Sequence, residues 1–122
     1  MVIYQSHING YKRVHLDSNS FGTWLRSITL KKDNRVFLFN GSLKRNQSAQ
    51  YAVLDIPVGE KDLQQCADAV MRLRAEYLFS QKKYSSIEFR DNAGRPYTWK
   101  GGDNRSTFES FRCCEQETKR LP

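Results

Sequence analysis

The sequence has no run of about 18 apolar residues, the length that a membrane-spanning helix needs. Its start, "MVIYQSHINGYKR", has no apolar segment of the kind that a secretory signal carries. On those two absences the chain is expected to be cytoplasmic. Histidine is scarce, with only His7 and His15, and the cysteines number three, Cys66, Cys113 and Cys114. An odd count with two of them adjacent argues against a disulfide framework, because neighbouring cysteines bridge only with strain. No glycine-rich phosphate loop, CxxC pair, HExxH or GxSxG is present. Cys113 and Cys114 lack the separation that tetrahedral metal ligation calls for, so neither a metal nor a cofactor is implied.

Acidic residues are also in short supply, 13 against 20 Lys and Arg, for a net charge of +7. The imbalance is uneven. Residues 1–54 hold eight cations against two acids, Asp17 and Asp33, a surplus of six. Such a surplus can draw in a nucleic acid or an anionic surface, and Tyr11, Trp24, Phe37 and Phe39 lie among the cations. The basic pairs are scattered through turns, however, and solvated surface charge explains them more simply. Hydrophobic residues make up 39% and aromatics 12%, a globular composition, so 122 residues should form one domain with one core.

Ser20 is suited to cap a helix running to Ser27, which would place Phe21, Trp24 and Leu25 at helical spacing as a core anchor. "VFLF" reads as a strand, Val36 to Phe39, running into the hairpin pair Asn40-Gly41. "YAVLDI" reads as a buried strand stopped by Pro57, with Asp55 either capping the turn or offering an acid-base carboxylate. "SSIEFRD" turns through "NAGRP" into "YTWK" as a second hairpin. A last short helix is expected from Thr107 to about Glu115. The fold class is therefore α+β: a small, mostly antiparallel sheet packed against one long amphipathic helix, with shorter helices near both ends.

That long helix is "DLQQCADAVMRLRAEYLFSQ", residues 62–81. Asp62 and Gln65 form a capping-box-like pair at its start. Leu63, Cys66, Val70, Leu73 and Tyr77 recur at helical spacing, widened by Ala67, Met71 and Leu78, opposite Gln64, Asp68, Arg72, Arg74 and Glu76. Cys66 is the best candidate for chemistry. A thiol in the first turn of a helix is favoured as thiolate, and thiol hydrolases place their nucleophile there. It also fits the stripe as a small apolar knob, which spacing explains with no added assumption. A nucleophile would need a base, and only His7 and His15 exist.

Taken together, "YKRVHL", "SFGTWLRSITL", "VFLFNGSLK", "AVLDIPVG" and "DLQQCADAVMRLRAEYL" resemble a bacterial family known only as a domain of unknown function. The resemblance covers about residues 11–110, and the last block is its most specific part. It implies longer, exported or lipid-anchored relatives with a C-terminal half that carries a Gly-His motif followed by a hydrophobic strand. This chain would then be a truncated member. A helix-borne cysteine followed by a strand-borne histidine is the order of papain-like and transglutaminase-like thiol enzymes, with Cys66 as nucleophile and its base outside this chain. On that reading the polypeptide is a non-catalytic domain, and apolar surface left uncovered would promote self-association.

Overall fold

The computed structural model describes residues 10–57, 66–91 and 93–118, with backbone alone at 66–67 and 112–118. Among these residues the chain forms helix α1 (Phe21–Ser27), helix α2 (Cys66–Ser80), a single 3-10 turn (Tyr84–Ser86), strands β1 (Glu88–Arg90) and β2 (Pro96–Thr98), and helix α3 (Arg105–Thr118). The class is α+β, as expected. α3 has 14 residues to the 15 of α2, so two long helices are present where one was expected. The cause is the cap: Asn104 Oδ1 accepts from the Thr107 N–H, which starts α3 ahead of Thr107.

Each other element has a similar local cause. Ser20 Oγ accepts from the Thr23 N–H and opens α1 at the expected place. α2 ends in a Schellman motif, in which the Lys83 N–H reaches Leu78 O and the Lys82 N–H reaches Phe79 O. Lys82 consequently takes a φ of +55°, where glycine is the usual occupant. β1 and β2 pair antiparallel with Phe89 opposite Tyr97, and the Trp99 N–H to Ile87 O bond carries the ladder one step further.

The core is an aromatic cluster where the C-terminal half of α2, the root of the β1–β2 hairpin and α3 converge. Ala75, Tyr77, Leu78, Ile87, Trp99 and Phe108 are buried in it. Phe79 stacks on Phe108 at 4.3 Å between ring centroids, and Trp99 meets Phe108 edge-on at 5.4 Å. Phe21 and Trp24 of α1 pack on Tyr77, which confirms α1 as an anchor. The Tyr77 hydroxyl donates to Asn19 O and fixes the entry to α1 on α2. Arg105 grips both oxygens of Glu76 at 2.7 and 3.0 Å and ties α3 to α2.

Two expected strands prove to be less regular. Residues 36–39 make one antiparallel bridge, Phe37 with Leu43, closed by the Asn40-Gly41 turn. Residues 51–57 make only the bridge of Leu54 with Leu30. Each bridge is flanked by two backbone bonds, and side-chain amides extend the pairing beside Val36. Gln47 bonds both the N–H and the C=O of Val36, and Gln50 reaches Asn34 O.

Candidate functional site

The candidate site is the Cys66 end of α2. Cys66 is the first described residue of α2, and the sequence places it about one turn after the expected cap Asp62, in the part of a helix where the dipole favours negative charge. Its side chain lies outside the described residues, as do His7 and the expected cap pair Asp62 and Gln65.

The residues that follow show which part of the expected stripe is covered. Tyr77 and Leu78 are buried as the spacing predicts, but Val70, one turn past Cys66 on the same stripe, is 62% exposed. Arg72, expected on the solvated face, is only 4% exposed. The stripe is thus corrected in two respects. α1 and α3 pack on the C-terminal half of α2, where Ala75, Tyr77 and Leu78 are buried, and Val70 has no such cover among the described residues. Glu76 pairs with Arg105 across to α3.

His15 is exposed on the stretch leading into α1. That stretch is held by bonds to α1 itself, Arg26 to Val14 O and Thr23 Oγ1 to Asp17 O. α1 reaches α2 at Arg74, whose guanidinium lies 5.4 Å from the Phe21 ring, and at Tyr77. Those positions are about 12 and 16 Å along the axis from Cys66 at 1.5 Å per residue. α1 thus meets α2 around Arg74 and Tyr77, and the His15 stretch is bonded to α1. Asp55 is exposed, and its backbone N–H bonds Thr29 O at 2.7 Å.

A cavity of about 210 Å³ lies beside α1, walled by Trp24 and Tyr77 and rimmed by Asn19, Ser20, Thr23 and Gln81. No local pattern announces it, because Asn19 and Gln81 are far apart in the chain and line one cavity only where Tyr77 pins α1. Its lining residues carry no formal charge, and the hydroxyls of Ser20, Thr23 and Tyr77 are already spent on local bonds.

The perturbed titrations belong to surface turns and to the α2–α3 tie. The Arg35 N–H and guanidinium hold the Asp33 carboxyl below the usual carboxylate range, and the Arg95 N–H and guanidinium do the same for Asp91 in the β1–β2 turn. Arg95 is raised in return by Asp91, and Arg105 is raised by its hydrogen bonds to Glu76. No group of three or more metal-ligating side chains occurs among the described residues, and no helix there is long and apolar enough to cross a membrane.

These features define a small α+β domain whose central helix carries a cysteine. The chain belongs to the family described as Domain of unknown function (4846), whose model matches residues 5–110. No curated protein and no solved structure matches it.

Proposed function

We propose that this chain is the thiol-bearing part of a hydrolase or transferase of papain-like or transglutaminase-like order, with Cys66 as nucleophile. The observation that carries the reading is the exposure of Val70, one turn past Cys66 on the same stripe of α2. The packing account of Cys66 needed that stripe to be covered, and its next described apolar member is not. The reaction class is acyl transfer. The thiolate sulfur would add to an amide carbonyl carbon, the amine would leave with a proton supplied by an acid, and water or a second amine would resolve the thioester. The acid and base in such a layout is a histidine. His15 is held with α1, so the chain on its own is expected to present a reactive thiol and to turn over no substrate. A reduced thiol is what a cytoplasmic setting maintains, and we infer that setting for this chain.

The test is the rate of iodoacetamide alkylation across pH, read by peptide mass so that Cys66 is separated from Cys113 and Cys114. A nucleophile at a helix start should alkylate with a midpoint below the free-thiol value of about 8.5. A midpoint at or above that value, or a thiol protected until the protein unfolds, would leave a non-catalytic α+β domain in which Cys66 only packs.

A further inference from the structure

We propose that the hairpin of residues 36–44 is a docking surface for an anionic lipid membrane. Four apolar side chains, Phe37, Leu38, Phe39 and Leu43, are between 47% and 56% exposed within nine residues of chain. They do not belong to the aromatic core. The Phe37–Leu43 bridge is flanked by the bonds Lys44 N–H to Val36 O and Leu38 N–H to Ser42 O. It is therefore a non-hydrogen-bonded pair, in which the two side chains stand closest on one face. The tip is a three-residue loop: the Gly41 N–H returns to Leu38 O, and Gly41 takes a φ of +82° that suits the bulge such a loop needs. Gln47 clamps the base of the hairpin through Val36 and Lys44. The apolar tip is thus held by specific bonds at both its turn and its base.

Charge complementarity selects the occupant. Residues 31–45 carry Lys31, Lys32, Arg35, Lys44 and Arg45, all exposed, against Asp33 alone, a surplus of four. Asp33 is itself taken up by Arg35, whose guanidinium also lies 5.6 Å from the Phe37 ring centroid. An apolar tip with a cationic collar matches the headgroup and acyl boundary of an anionic leaflet, where Leu and Phe insert and Lys and Arg meet phosphate. A single-stranded nucleic acid would use the collar and the two rings but has no use for Leu38 and Leu43, since bases stack on aromatic faces. A second copy of the chain would bring the same positive collar against itself.

The experiment is co-sedimentation of the full 122-residue chain with vesicles of mixed phosphatidylcholine and phosphatidylglycerol, compared with pure phosphatidylcholine and with single-stranded RNA. Expected are retention on the mixed vesicles alone at low salt, a loss of about fivefold in affinity per cation removed in Lys44→Gln/Arg45→Gln, and a comparable or larger loss in Leu38→Ser/Phe39→Ser. Circular dichroism should be unchanged in both variants, and the charge variant tests the proposal even if the apolar one folds poorly. The proposal is overturned by equal retention on neutral vesicles, by no retention on either, by preferential binding of RNA, by wild-type binding of either variant, or by a self-association that Leu38→Ser/Phe39→Ser abolishes.

Discussion

Replacing Phe108 by alanine should be the most damaging single truncation of the core. Phe108 is 0% exposed and sits between Phe79 and Trp99, with the Arg105 guanidinium 5.5 Å from its ring centroid. Returning a buried Phe side chain to water costs about 2 to 3 kcal/mol. The two close ring pairs add about 1 kcal/mol or more, and the cavity left between α2, α3 and the hairpin root cannot collapse, because three separate elements line it. The sum is about 4 kcal/mol, a large part of the roughly 5 to 15 kcal/mol that holds a domain together. In a urea titration with a slope of about 2 kcal/mol per molar, the midpoint should fall by about 2 M at unchanged slope. Tyr51→Ala, at an exposed ring, should stay within about 0.5 kcal/mol of the parent. A loss below about 1.5 kcal/mol for Phe108→Ala would mean that the aromatic cluster is not the load the domain rests on.

Gly101→Ala should cost about 1 to 3 kcal/mol in the same titration, because the new Cβ would overlap the Trp99 ring. That ring cannot swing away while its Nε1–H donates to Gly102 O at 2.8 Å. Gly94→Ala meets no atom within 4 Å and should lose only about 1 kcal/mol, for a φ of +81° that disfavours a side chain. Lys82→Gly should raise stability by up to about 1 kcal/mol, since it removes a side chain from the left-handed position of the α2 cap. The Asp91 carboxyl is lowered in the folded state by the Arg95 N–H and guanidinium. Its contribution is therefore complete above the ordinary carboxylate value and is lost as pH falls through the lower folded one. NMR of the Arg95 amide should show the β1–β2 turn loosening only below about pH 4. Asp91→Asn should remove that acid step, and an unchanged acid transition in the variant would refute the assignment.

The elements read correctly from the sequence are those whose cause is local. Ser20 and the Phe21/Trp24 spacing specify α1 without help from the rest of the chain, Asn40-Gly41 specifies a turn, and "NAGRP" between two β-rich runs specifies the β1–β2 hairpin. What failed depends on contacts that no local pattern encodes. Val36–Phe39 has strand composition but only one short partner, so it stops at a single bridge. α2 shows the limit most clearly. Helical spacing ranks faces on the assumption of one packing partner, whereas α1 and α3 meet the last turns of α2 on two sides and no described element covers Val70. Val70 is exposed for that reason, and 3.6-residue periodicity alone could not have shown it. The 3-10 turn at Tyr84–Ser86 was missed as well, since three residues carry no period.

The unequal cover of α2 bears directly on Cys66. Had the helix been buried evenly along one stripe, the cysteine would have needed no explanation beyond volume, as Ala75 and Leu78 need none at the other end. Instead the packing energy is concentrated around Tyr77, Phe79 and Phe108, which fixes the helix axis rigidly from its C-terminal half. The described residues nearest Cys66 do not all share that cover, since Val70 is 62% exposed. An anchored but accessible helix start is the arrangement a thiol nucleophile requires, because the amide dipoles must be fixed relative to the sulfur while a substrate carbonyl still has access. The uneven cover of α2 therefore supports the proposal that Cys66 reacts, which the spacing of the sequence alone opposed.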